Sequence, residues 1–329
     1  MKLAVVIPAL NEETTLPQTL SELPLQVDGF DEVEWIVVDD GSTDRTAQVA
    51  LEYGAQHVVR FPQRRGLAEA FTAGLDAALR TGADVVVTSD ADNQYAAASI
   101  PELVAPVLAG RADIVVGERI GAGVDEFSRR KRSLQRLGSA ALRVASRTDV
   151  PDATSGFRAY SREAAMRANV LGRFSYTLES LIQAGRSGLA VSSVQVDTNP
   201  KTRPSRLFSS TTEYIVRSGV QMVRAYAMYE PLRTFLYLAA VALLGALIIF
   251  GRFIYFFATG SGNGHIQSLI LGAILMIAAF QLLVLGILGD LLAANRRLLE
   301  RVLVRVRRME LGEPASAHEL ELTQPGDER

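Results

Sequence analysis

The chain reads as an α/β protein: a mostly parallel sheet layered with helices, followed by a helical segment that enters a membrane. Three observations predict this. β-branched runs such as Val85-Val86-Val87 alternate with helical stretches of roughly ten to fifteen residues, the spacing of strand-helix-strand crossovers. Two such runs end in carboxylates, Asp39-Asp40 and Asp90-Ala91-Asp92, at the edge where parallel sheets bind ligands. Residues 234–257 and 266–289 are apolar runs of about 24 residues each, longer than the roughly 20 needed to cross a hydrocarbon core.

Residues 3–7 form the first strand, which Pro8 breaks, and Asn11-Glu12-Glu13-Thr14 opens a helix continuing to Leu23. This leading apolar stretch is too short for a signal peptide, so the front half is expected to stay in the cytoplasm. The turn Pro8-Ala9-Leu10-Asn11-Glu12 has no glycine-rich dinucleotide fingerprint, which disfavours a nicotinamide enzyme. The second strand, Trp35–Val38, ends in Asp39-Asp40-Gly41-Ser42-Thr43-Asp44. There Gly41 supplies a positive φ and Ser42 or Thr43 caps the next helix. Capping leaves Asp39 and Asp40 unexplained.

A third strand at His57–Arg60 precedes a helix from Gly66 to Leu79. The fourth strand, from Val85, delivers Asp90 and Asp92. At the strand's period of two both face one side, where they can hold a hard divalent ion such as Mg²⁺ or Mn²⁺ together with a substrate diphosphate. The bland alternative is a polar turn after a strand. A helix over 100–109, a fifth strand over 113–119 and another over 190–196 complete the pattern.

Composition narrows the classes further. With 329 residues the chain has room for about two domains. It is 48% hydrophobic and has no cysteine, so disulfides and thiolate metal sites are excluded. The net charge of -2 hides arginine concentrations at 129–147, 201–224 and 296–308, which suit anions or a membrane surface. No nucleic-acid partner is expected.

Four ordered stretches then carry a resemblance over residues 3–210: Val6-Ile7-Pro8-Ala9-Leu10-Asn11-Glu12, Val37-Val38-Asp39-Asp40-Gly41-Ser42-Thr43-Asp44, Asp90-Ala91-Asp92-Asn93-Gln94 and Asp152-Ala153-Thr154-Ser155-Gly156-Phe157-Arg158. Together they resemble family 2 glycosyltransferases of the GT-A fold, a Rossmann-like sheet, in the branch of dolichyl-phosphate mannose synthases and polyprenyl-phosphate glucosyltransferases. The resemblance implies that Pro8, Leu10, Glu12, Val38, Asp39, Asp40, Asp90, Ala91, Asp92, Gln94 and Arg119 bind a nucleotide sugar. It also implies that Asp92 and Gln94 hold the metal, and that Asp152, with Asp90 and Asp92, is catalytic as an acceptor-side carboxylate and base. Read from the residues alone, Asp152 fixes Arg158 or caps a turn. Arg129, Arg130 and Arg132 lie on a basic helical segment that is either a solvated surface or a grip on an anionic acceptor. Lys201, Arg203 and Arg206 occupy the place of a family loop that closes over donor and lipid phosphate, here shorter and without its glycine.

Past residue 206 the pattern turns to the membrane. Ile215, Val216, Val220, Val223, Tyr226 and Ala227 recur at helical spacing opposite Arg217 and Arg224, which predicts an interfacial helix over 207–231. A two-span hairpin follows over 232–292. Arg224 and Arg233 before the first apolar span, and Arg296, Arg297 and Arg301 after the second, place the catalytic half (residues 1–206) and the C-terminus in the cytoplasm. Residues 293–329 are expected to form a second basic amphipathic helix and a polar, disordered tail; the spans or this helix also offer a surface for a homo-oligomer.

The two halves suit one chemistry, inverting transfer from a nucleotide sugar to a polyprenyl phosphate held in the bilayer. The alternatives are another lipid acceptor, such as a diacylglycerol or a lipid-linked sugar, or a non-catalytic membrane scaffold, which would have eroded the acidic positions. A processive polysaccharide synthase is disfavoured because Trp35, the one tryptophan, sits in a strand and no Gln-x-x-Arg-Trp signature is present.

Overall fold

The computed structural model describes residues 1–119, 148, 150–170, 176–200, 230–259 and 266–313. Strand β1 (Lys2–Ala9) is buried at every residue but Lys2, and β4 (Val85–Thr88) at all of its residues. Such continuous apolar runs belong to strands covered on both faces. β1 pairs in parallel with β2 (Glu32–Asp39) on one side and with β4 on the other, and β3 (His57–Arg60) adds to β2. Register sets Ala9 beside Asp39 and Val6 beside Thr88, so the C-terminal ends of three strands meet at one edge. The sheet order is β3-β2-β1-β4-β6-β5-β7, with β5 (Ile114–Arg119), β6 (Arg158–Ser161) and β7 (Val191–Val196). Chain direction reverses its march between β1 and β4, the switch point at which open α/β sheets bind ligands.

Helices cover both faces. Leu3, Val5 and Ile7 share a core with α1 (Leu16–Glu22) and α4 (Ile100–Leu108) through Leu16, Leu20, Ile100, Leu103 and Val104. On the opposite face Val6 and Val38 lie against α3 (Leu67–Arg80), which buries Phe71, Leu75 and Ala78. α2 (Thr46–Glu52) packs outside β2.

Several expectations need correction. Neither Ser42 nor Thr43 caps α2, whose N-cap is Arg45; Ser42 Oγ accepts from the Asn11 amide and the Thr43 amide donates to Asn11 Oδ1, lacing two loops together. β4 ends at Thr88, so Asp90 and Asp92 sit on a turn rather than in strand alternation. Arg158, expected in a turn, opens β6, and residues 159–167, for which the sequence offered no element, complete β6 and form α5 (Arg162–Arg167), with β6 running antiparallel between β4 and β5. Helix α6 (Tyr176–Arg186) follows.

The chain divides into two compact units, residues 1–219 with 302–329, and residues 220–301. In the second, α7 (Pro231–Ala258, 28 residues) and most of α8 (Ile266–Glu310, 45 residues) are long and apolar enough to cross a membrane. Their buried positions are small, Ala239, Ala246, Ala279 and Ala293, while Leu244, Ile248, Ile254, Phe280 and Leu292 are exposed. The basic segment over 295–310 is not a separate interfacial helix: α8 runs through it unbroken. Its last part belongs to the first unit, where Arg307 donates to the carbonyls of Met166 and Ala168 at the end of α5 and Arg308 pairs with Glu163. The expected interfacial helix over 207–231, except its last two residues, and the polar tail beyond 313 lie outside the described residues.

Candidate active site

The sheet edge gathers the acidic residues. Asp39, the last residue of β2, is fully buried; its Oδ1 accepts from the Ser42 amide at 2.8 Å. Its Oδ2 lies 3.2 Å from Arg60 Nε as an ion pair but has no hydrogen bond among the described residues. Asp40 is spent differently, accepting from the amides of Arg65 (2.7 Å) and Gly66 (3.0 Å) at the start of α3, where a helix N-terminus favours negative charge. Gly41, at φ +74°, lets these loops touch: a Cβ there would lie 2.5 Å from the Gln63 and Arg64 backbone. Glu12 is buried, its amide donating to Thr46 Oγ1 and its Oε2 accepting from Thr15. Pro8 and Val38 face each other as register partners between β1 and β2, one residue short of Asp39, and Leu10 follows β1.

The turn after β4 is fixed from several sides. Thr19 in α1 donates to the Ala91 carbonyl at 3.0 Å, and Asn93, buried at φ +57°, donates to Glu22 at 2.8 Å. Asp92 accepts from the Gln94 amide (3.2 Å) and side chain (2.9 Å), which leaves the Gln94 side-chain oxygen free of that pairing. Burial, and then the charge of Asp92, push the Asp90 carboxyl up to about 7 despite the nearby Arg119 and Arg158. A buried carboxyl beside a second carboxylate forms a hard oxygen donor set whose crowded negative charge a divalent cation relieves. Among the described residues no cluster of three acidic or histidine side chains exists. A sparse set fits Mg²⁺ or Mn²⁺, which take one or two carboxylates and complete their shell with water and phosphate oxygens.

Asp152 does not fix Arg158. Its carboxylate receives both arms of Arg119, Nε at 2.7 Å and Nη2 at 3.1 Å, and Thr154 adds a third donor at 2.8 Å. Burial alone would push the Asp152 carboxyl up, but Arg119 outweighs it and holds it below the usual value. A carboxylate engaged in this way aims a guanidinium; it is a poor proton acceptor near neutrality. Arg158, which the sequence placed in a turn, is wholly buried and donates to the carbonyls of Ser155, Ala153 and Thr177 and to Ser180 Oγ, at 2.8–2.9 Å. It thereby shapes the turn carrying Gly156, whose carbonyl accepts from Thr88 and Tyr176 and whose amide donates to Tyr95 Oη. A Cβ at Gly156 would lie 2.9 Å from Asp90 Oδ1. Arg158 closes the fourth stretch of the resemblance, but no sequence signal marks Tyr95 or Tyr176, since a tyrosine reads as surface until its partners are known. Arg129, Arg130, Arg132, Lys201, Arg203 and Arg206 lie outside the described residues.

Residues 4–167 match the family model described as "Glycosyl transferase family 2". The dolichyl-phosphate hexose transferase of Haloferax volcanii is 32% identical over 62% of this chain and 86% of its own length. The undecaprenyl-phosphate mannosyltransferase of Micrococcus luteus is 33% identical over 49% of this chain and 66% of its own. Glucosyl-3-phosphoglycerate synthase of Mycobacterium tuberculosis, solved with Mn²⁺, UDP and glucosyl-3-phosphoglycerate, superposes with a TM-score of 0.52 at 28% identity, over 69% of this chain and 78% of that one.

Proposed function

The chain belongs to glycosyl transferase family 2, and from that membership we propose that it moves a sugar from a nucleotide-sugar donor to a polyprenyl phosphate at the cytoplasmic face of a membrane, with inversion at the anomeric carbon. One observation carries the reading: a single chain joins an acidic turn at a sheet switch point, Asp90 to Gln94, to two helices whose exposed surface is Leu, Ile and Phe. A water-soluble donor and a lipid-anchored acceptor call for that combination. The named activities of the Haloferax and Micrococcus relatives support the acceptor class.

On the donor side, Asp39 Oδ2 offers a buried acceptor to a base N–H, with Pro8 and Val38 at the adjoining register position and Leu10 and Glu12 in the loop that follows β1. Asp40 contributes by holding the loop before α3 in place. Asp92 and the Gln94 side-chain oxygen, beside Asp90, would hold Mg²⁺ or Mn²⁺, whose charge offsets that of the departing diphosphate. Arg119, aimed by Asp152, adds a fixed positive charge. The basic runs at 129–132 and 201–206 supply further charge for the acceptor phosphate.

The acceptor is a phosphate monoester, already ionised at neutral pH. One of its oxygens attacks the anomeric carbon, the bond from that carbon to the diphosphate oxygen breaks, and the electron pair leaves with the nucleoside diphosphate. No proton has to move, so the work is alignment and charge neutralisation, and Asp152 is not required as a base. The arginines flanking the apolar helices support a cytoplasmic catalytic unit and C-terminus.

The test supplies membranes containing the full chain with radiolabelled UDP-glucose and GDP-mannose in turn, Mg²⁺ or Mn²⁺, and undecaprenyl phosphate. A lipid product whose sugar is released by mild acid supports the reading. An acid-stable glycoside on diacylglycerol, or label on added soluble glycerol phosphate alone, overturns it.

A further inference from the structure

Glu22 is the last residue of α1, where the helix dipole disfavours negative charge, yet its carboxylate is an organising centre. Oε1 accepts from Asn93 Nδ2 at 2.8 Å and from Gln18 Nε2 at 3.1 Å, and Oε2 accepts from Asn199 Nδ2 at 3.0 Å. Only Gln18 is local. Asn93 sits between Asp92 and Gln94 in the left-handed region, and it is buried, so its orientation sets theirs. Asn199 follows β7 and stands just before Pro200 and the basic run from Lys201.

Other bonds reinforce the same bracket. The Asn199 amide donates to the Gln94 carbonyl at 2.9 Å, the Ala96 amide donates to the Asp197 carbonyl at 3.2 Å, and Tyr95 bridges Thr198. These are backbone contacts and leave side-chain direction unset. A carboxylate is acceptor-only with about four lone-pair positions, so Glu22 can take side-chain amide donors from both segments together.

We propose that Glu22 is a positioning residue: it locks the Asp92–Gln94 turn to the root of the basic segment after β7, so that the diphosphate end of the donor and the phosphate of the acceptor are presented in one fixed relation. This deepens the reading of the site above and rests on it for the identity of those two ligands. Glu22 itself touches neither.

The test is a donor-acceptor swap in the full-length protein, read by Mn²⁺ titration and by amide exchange over residues 92–96 and 197–199 as well as by transfer. Asn199→Asp sets a second carboxylate against Glu22, and is expected to weaken Mn²⁺ binding and transfer about tenfold and to speed exchange in both segments. Glu22→Gln added to it restores the pattern, because the new side-chain amide accepts from Asn93 through its oxygen and donates to the new carboxylate through its nitrogen. Recovery to within about threefold of wild type in all three readouts is the expected result. Gln18→Ala, which removes only the local bond, should leave all three unchanged. If the double variant is no better than Asn199→Asp alone, or if Glu22→Ala exchanges and binds Mn²⁺ like wild type, the bracket has no positioning role. Mn²⁺ and exchange need neither sugar nor lipid, so they decide this point even if the wild-type chain fails to glycosylate undecaprenyl phosphate.

Discussion

Arg119 and Asp152 meet fork to fork, Nε to Oδ2 at 2.7 Å and Nη2 to Oδ1 at 3.1 Å, with both side chains largely withdrawn from solvent. A lysine at 119 would keep the charge and lose the fork. Arg119→Lys is therefore expected to lower transfer about 10–100-fold while changing stability by only about 1–3 kcal/mol, measured as kcat/KM beside a urea denaturation curve.

The same pair sets a pH dependence. Arg119 holds the folded Asp152 carboxyl below its ordinary value, so the pair stabilises the fold above the unfolded value of about 3.9, and that contribution is lost as pH falls through the lower, folded value. Asp152→Asn should cost stability at pH 7, and the gap to wild type should close as unfolding is followed into acid below about pH 4. Between pH 5 and 8 the shape of the rate profile should be the same in both proteins. A limb of the profile that disappears in the variant would restore Asp152 as a base.

Asp92→Asn removes charge from the turn without changing its size. Transfer should fall at least about 100-fold and Mn²⁺ binding should weaken, with thermal unfolding little altered. Wild-type, metal-dependent turnover in this variant would count against the donor set described.

How far the sequence disclosed this site depended on what kind of residue each part used. Val85–Val87 and Val37-Val38 are β-branched and bounded by turns, so their strands, and the carboxylates at their ends, could be read directly. β6 could not. It is four residues long, begins with an arginine, and gains its stability from pairing antiparallel between two strands distant in sequence. α6 buries Thr177, Ser180 and Gln183, polar residues that would otherwise place a helix at the surface. Alternation rules assume that polar means exposed, and they fail where buried polar groups satisfy one another. Likewise the second span appeared to stop near Gly289, where apolar residues give way to charge, although Asp290 to Glu310 holds no proline and favours continued helix.

Gly156 lies where the turn shaped by Arg158 closes over Asp90. Gly156→Ala would bring a methyl group to 2.9 Å from Asp90 Oδ1 and 3.0 Å from Tyr176 Oη. Since Tyr176 is held by its stack on Phe71, the carboxylate has to yield. Expected are a loss of about 1–3 kcal/mol in stability and a larger loss in Mn²⁺ binding than the stability change alone would give, both readable by calorimetry.

The end of α8 supports the catalytic unit. Arg307 gives two hydrogen bonds to carbonyls that α5 leaves without helical partners, Met166 and Ala168, and so caps that helix with a positive charge at its negative end. Arg308 pairs with Glu163, and Glu313 with Arg162, on the same helix. If residues beyond 301 merely trailed from a membrane span, deleting 302–329 would leave the catalytic unit as stable as before. The cap and ion pairs instead predict a fall in Tm of about 3–10 °C, whereas deleting only 314–329 should cost nothing. Arg307→Met, which keeps the length of the side chain but cannot donate, should reproduce most of that fall, because two part-buried carbonyls then lose their donor.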